Sequence, residues 1–221
     1  MIPVEMPPEP PDFDARVRQP GHEHLQQKGH DPAQPPPTHD GFLRNADQGK
    51  ADYWRRVRDD LKEGYGNRCV YSCFYLSEEH IYANDSFKHS IDHFKPVSQF
   101  PARLIYEWSN LRWAWELINI YKGDSIIPES HDPTQMTSNL VKLQRDERGD
   151  WIVIPESSLT DLEQEKIDRT IRNLGLNNPK VKIMRNQYIT HFSENKCQYS
   201  IELMKKYQPF IYRELRRLEW L

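Results

Sequence analysis

The stretch HSIDHFKPVSQF sets an acid, Asp92, beside a base, His93, between Ile91 and Phe94, with Pro96 three residues after the histidine. A carboxylate next to an imidazole among apolar residues can be a structural hydrogen-bonded pair. It can also be half of a metal site that carries its own general base. Downstream stand Asn110 in WSNLRWAW, Asn119 in ELINIYKGD, and Lys122 one helical turn beyond Asn119. Taken singly, most of these have ordinary uses. Asn110 is a turn or helix N-cap residue, and Lys122 before Gly123 complements a helix C-terminus. Asn119 is the least expected, because an amide inside an apolar helix needs partners.

The elements around these residues follow from pattern. KADYWRRVRDDLKEGYG reads as a helix with Trp54, Val57 and Leu61 on one face and Gly64 as its stop. RCVYSCFYL and HSIDHF read as short strands. SNLRWAWELINIYKGD reads as a turn entering a helix, with Leu111, Trp115 and Ile118 facing inward and Gly123 at its end. The middle of the chain is therefore expected to run strand, strand, helix.

Residues 139–155 predict a β-hairpin with its turn at Arg148-Gly149. Residues 160–221 predict helices. Thr160 and Glu163 form a capping-box pattern, Gly175 ends that helix, Asn178-Pro179 starts the next, and Pro209 breaks the last stretch. Residues 1–47 form a Pro-rich arm, with PVEMPPEPP and PAQPPP short of amide donors and restricted in φ. It is disordered, wrapped over a surface, or docked on a partner. Residues 48–221 make the main domain.

Composition limits the classes. Eleven Tyr, eight Phe and six Trp argue for a folded chain despite its low hydrophobicity. No apolar run reaches the length of a membrane span, and the first residues lack the basic flank and apolar core of a signal peptide. Three cysteines, Cys69, Cys73 and Cys197, suit a reducing compartment, so a cytoplasmic location is expected. The net charge of −3 is unlike that of a freestanding nucleic-acid binder. Residues 160–221 nevertheless hold twelve Lys/Arg against eight Asp/Glu, a balance of +4 that leaves −7 for residues 1–159.

Listed in order, D-H-x-x-P, then N-L, then N-x-x-K-G, the segment 65–124 resembles the HNH (ββα-metal) endonuclease motif. The resemblance implies an α+β fold: a ββα-metal core with a hairpin insertion, surrounding helices and the N-terminal arm. It implies a metal-dependent endonuclease, with DNA favoured as substrate, that leaves a 5′-phosphate and a 3′-hydroxyl. Asp92 and Asn119 would hold one Mg²⁺ (or Mn²⁺), a hard cation content with one or two protein oxygens. His93 would take the proton of the attacking water, Asn110 would steady the loop and the histidine, and Lys122 would meet a phosphate. His89 shares the strand face of His93. It is an auxiliary ligand, a substrate contact, or a strand histidine with a hydrogen-bond partner.

The chain departs from the zinc-stapled members of that family. Cys69 and Cys73 are C-x3-C, and Trp115 and Ile118 stand where a second cysteine pair would sit. Structural zinc wants four ligands, and His80 or His89 would have to complete the set. The expectation is no structural zinc, with an apolar core in its place. The flanks PPEPPDFDARVRQPG and TIRNLGLNNPKVKIMRNQY resemble the HNH subunit of Septu-type and retron-associated anti-phage systems. That implies a multimeric ABC/SMC-like ATPase partner, which could supply much of the grip on nucleic acid. An RNA- or tRNA-cleaving nuclease and a non-catalytic nucleic-acid-binding adaptor are the alternatives.

Overall fold

The computed structural model describes residues 1–37, 52–75 and 89–221. The boundary expected at 47/48 and His80 lie outside them.

The described part of the arm, residues 1–37, is wrapped over the body. Met1, Phe13, Val17 and Leu25 are buried. Val4 N donates to Pro133 O at 2.8 Å, and Trp108 Nε1 donates to Pro7 O at 2.8 Å. A π-helical turn, Asp14–Arg18, runs straight into α1 (Gln19–Gln27). Pro20 explains the wide turn: it has no amide hydrogen to give, and its ring would press on the carbonyl of a regular α-turn before it. Arg18 ties this helix to the body through Glu107, with Nε 3.0 Å from the carboxylate.

Tyr53–Val57 is a 3₁₀ turn that continues as α2 (Arg58–Gly64), with Val57 and Leu61 buried. The chain reverses just after it, at Gly66 (φ +58°) and Asn67 (φ +54°). Gly64 itself packs on Pro7.

Of the strand expected over RCVYSCFYL, the described residues 68–75 form instead a tight turn closed by a single bridge between Arg68 and Tyr75. Cys69 N donates to Phe74 O (2.9 Å), and Cys73 N donates to Cys69 O (2.8 Å). Cys73 takes φ +60°. Five residues folded back on themselves leave no extended run to pair.

The first sheet is β1 (His89–His93) and β2 (Leu111–Trp115), antiparallel, in the register His89↔Trp115, Ile91↔Trp113, His93↔Leu111. The second strand is thus LRWAW, which had the spacing of a helix. Every residue of it is buried. Apolar residues that recur on all sides fit a helix start or a doubly covered strand equally, and pairing with β1 decides. Helix α3 (Glu116–Lys122) begins at once and ends at Gly123, φ +45°. The order strand, strand, helix holds: HSIDHF is β1 as expected, but the other strand is LRWAW rather than RCVYSCFYL.

The second sheet is the expected hairpin, β3 (Val141–Arg145) and β4 (Trp151–Pro155), turning at Gly149 with φ +83°. Four helices follow: α4 (Asp161–Asn173), α5 (Pro179–Glu194), α6 (Gln198–Tyr207) and α7 (Pro209–Arg217). The Thr160/Glu163 capping box and the Asn178 cap are both formed.

Side chains from this bundle close both edges of the hairpin. Asn177 accepts from Val153 N at 2.8 Å and donates to Val153 O at 2.7 Å. On the other edge Leu143 N donates to Glu214 at 2.8 Å, and Arg217 donates to Leu143 O at 2.8 Å. Open strand edges invite further pairing, and here they are satisfied within the chain. The architecture is α+β: helices with two small antiparallel sheets. Among the described residues no helix is long and apolar enough to cross a membrane.

Candidate active site

Strand alternation divides the first sheet into two faces. Ser90 and Asp92 share one face with Ala114 and Arg112. His89, Ile91 and His93 share the other with Trp115, Trp113 and Leu111. The contacts of its side chains lay α3 on the Ser90/Asp92 face. Asn119 Nδ2 donates to Ser90 Oγ at 3.1 Å, and Lys122 Nζ donates to Asp92 Oδ1 at 2.9 Å. Residues two apart on the strand thus meet residues three apart on the helix.

Asn110 sits where the β1–β2 connection ends. Its Oδ1 accepts from Lys95 N (2.7 Å), and its Nδ2 donates to Lys95 O (3.2 Å) and Leu104 O (3.0 Å). Its own backbone carbonyl accepts from Phe94 N at 2.9 Å. The side chain is buried, and its amide group binds the loop's first residues to its middle. Pro96, also buried, opens a turn by accepting from Gln99 N and Phe100 N.

His93 Nε2 lies 3.0 Å from Ile105 O. A carbonyl only accepts, so Nε2 carries the hydrogen, and in the neutral ring the lone pair lies on Nδ1. Trp54 meets the ring edge-on, centroids 5.1 Å apart. The imidazole is therefore oriented by the same loop that Asn110 pins.

Asp92 is 3% exposed and Lys122 1%. Besides Lys122, the carboxylate accepts from the hydroxyl of Tyr71 on Oδ2. Lys122 Nζ also donates to His93 O at 2.7 Å. Lys122 was expected to face a phosphate; here it is turned inward. A buried carboxylate without a counter-charge is very unfavourable, and the natural candidate across the strand is already engaged. Arg112, opposite Asp92 in register, forks onto Asp132, with Nη2 2.5 Å and Nε 3.2 Å from its oxygens. The lysine on α3 is left to neutralise Asp92.

Tyr71 is not among the expected site residues: it lies between Cys69 and Cys73, outside the Asp-His, Asn and Lys pattern. Its signal was a large phenol in a segment otherwise suited to burial, which needs a partner for its hydroxyl. Burial first, and then the Asp92 charge, push that hydroxyl well above its ordinary range, so it stays a donor.

His89 stacks on Trp113, rings 5.0 Å apart and 12° from parallel, with the Arg58 guanidinium 6.0 Å from the same indole. It shares the His93 face but pairs with Trp115, two register pairs along from Ile91↔Trp113. Cys69 and Cys73 are free and buried. Phe74 and Trp115 meet close by at 6.5 Å, and Ile118 is buried.

The donor set suits a hard divalent ion in kind: one carboxylate on β1 and one amide oxygen on α3, both on the same face. The carboxylate already holds a cation, the Lys122 ammonium, as a stand-in. Among the described residues no three His, Cys, Asp or Glu side chains gather as a metal cluster; the candidate pair is sparser than that, as magnesium sites often are.

No protein-family model matches the chain, and comparisons with curated proteins and with solved structures give no match either.

Proposed function

We propose that this chain is a cytoplasmic, metal-dependent endonuclease of the HNH type, hydrolysing nucleic-acid phosphodiester bonds with DNA favoured. The observation that carries the reading is the Asn110 clasp. One buried amide holds the loop between β1 and β2, and that loop orients the imidazole of His93. Asp92 and Asn119 stand on the other side of the same strand.

In this reading His93 accepts the proton of a water at Nδ1 as the water oxygen attacks phosphorus. The bond from phosphorus to the 3′-oxygen breaks and that oxygen takes a proton from solvent, leaving a 5′-phosphate and a 3′-hydroxyl. Asp92 and Asn119 would hold a Mg²⁺ or Mn²⁺ ion, which would supply neutralisation of charge on the phosphate and the leaving oxygen. Asn110 positions and does not touch substrate. Trp113, Trp115 and Ile118, all buried, would supply an apolar core where zinc-stapled members carry the metal.

The flanking resemblance extends the proposal to a role as effector of a bacterial anti-phage system beside an ABC/SMC-like ATPase. The basic balance of residues 160–221 is modest, and a partner would supply the remaining phosphate contacts. A nuclease assay on DNA and on RNA, with Mg²⁺ or Mn²⁺ and with EDTA as control, tests the reading. No cleavage of either substrate, alone or with the partner, would sink it. The burial of Asp92 and Lys122 is the observation that favours the rival, a non-catalytic adaptor, and the same assay separates the two.

A further inference from the structure

The Asp92 carboxylate has two neighbours of different kinds. Tyr71 is a neutral donor on Oδ2, and Lys122 is a cation 2.9 Å from Oδ1. Arg112 faces Asp92 in register but is spent on Asp132. One positive charge therefore balances Asp92, at the tip of a long, buried side chain that also donates to His93 O at 2.7 Å. Lys122 is the last residue of α3, followed by Gly123 at φ +45°. To leave Asp92 the ammonium gives up two bonds, to Asp92 Oδ1 and to His93 O, while the Asn119–Ser90 bond on the same helix is separate from both. Two cations within bonding distance of one buried carboxylate oxygen repel strongly in so dry a setting.

We propose that Lys122 competes with a divalent cation for the Asp92 carboxylate. The lysine occupies the acid until the ion displaces it, and the released ammonium is then available to an anion such as a substrate phosphate. The inference rests on the nuclease reading for the role of the ion, though the competition itself needs no nucleic acid. It turns a residue that faces inward, away from any phosphate, into a gate on metal loading. It also predicts an enzyme that needs more divalent ion than its ligands alone would demand.

The test is titration of Mn²⁺ into the full chain without nucleic acid, reading free Mn²⁺ by electron paramagnetic resonance. Lys122→Met keeps the length and apolar stem of the side chain and removes the charge. It should bind Mn²⁺ about tenfold or more tightly than the unaltered protein. Equal or weaker binding overturns the competition.

Because Lys122→Met can fail to fold, the unaltered protein is read directly as well. Nitrogen-15 spectra of lysine side chains should show a protected Lys122 ammonium that shifts or disappears with saturating Mg²⁺. A Lys122 signal unmoved while Mn²⁺ binds overturns the competition and leaves the nuclease reading standing. No Mn²⁺ bound by either protein also overturns it, and the nuclease reading is then judged by cleavage alone.

Discussion

Asn110 and His93 hold neighbouring carbonyls of one loop: Asn110 Nδ2 donates to Leu104 O at 3.0 Å, and His93 Nε2 to Ile105 O at 3.0 Å. The amide fixes the loop, and the loop fixes the tautomer and direction of the imidazole. A residue that touches no substrate can in this way set the geometry of the proposed base.

His93→Ala should lower cleavage about 10²–10⁴-fold, the usual worth of a positioned general base. Its melting temperature should stay near that of the unaltered protein, since the ring is only half-buried. Plasmid nicking and differential scanning calorimetry measure the two. Cutting at the unaltered rate would remove His93 from the chemistry.

Asn110→Ala should destabilise the protein by about 1–3 kcal/mol, because it leaves the Lys95 and Leu104 backbone groups without their partner. Cleavage should fall about 10²-fold through misplacement of His93. Denaturant unfolding and nicking, run on one preparation, check both. A stable variant with full activity would show that the clasp is dispensable.

Lys122→Met should cost about 3–5 kcal/mol by stranding a buried carboxylate. Adding Asp92→Asn should recover most of that loss, since no charge then remains to be balanced. A urea double-mutant cycle reads the coupling. Purely additive losses would mean that the pair does not act as one unit.

His131 provides a pH test. Burial first, and then Lys166, lower its pKa below the usual 6.5, and its Nδ1 lies 2.8 Å from Thr170 Oγ1. Above pH 6.5 the ring is neutral both folded and unfolded. Below it the unfolded chain takes up the proton first, so stability falls as pH drops toward the folded value. The melting temperature should decline on acidification below pH 6.5, and His131→Gln should show a shallower decline. Parallel slopes for the two proteins would rule out this contribution.

Features that depend on a few adjacent residues could be read from the chain itself. Gly149 turns the β3–β4 hairpin, Thr160 and Glu163 box the start of α4, Asn178 and Pro179 open α5, and Gly123 ends α3. Each is decided by backbone freedom or a side-chain bond within one turn, so neighbours in sequence suffice. Of the candidate site, the order of Asp92, His93, Asn110, Asn119 and Lys122 could be read as a motif, but not the strand that LRWAW forms between them. Where contacts span longer distances, local patterns were ambiguous or silent. LRWAW became a strand because β1 lay ready to pair with it, and RCVYSC became a turn because its chain closes on itself. The arm folded back because Phe13, Val17 and Leu25 found a surface to bury against. Lys122 turned inward because Arg112 was already held by Asp132, twenty positions along the chain, and Tyr71 reached Asp92 across twenty-one. Charge balance in a buried site depends on which groups the fold brings together, and that is a property of packing that no local pattern of residues contains.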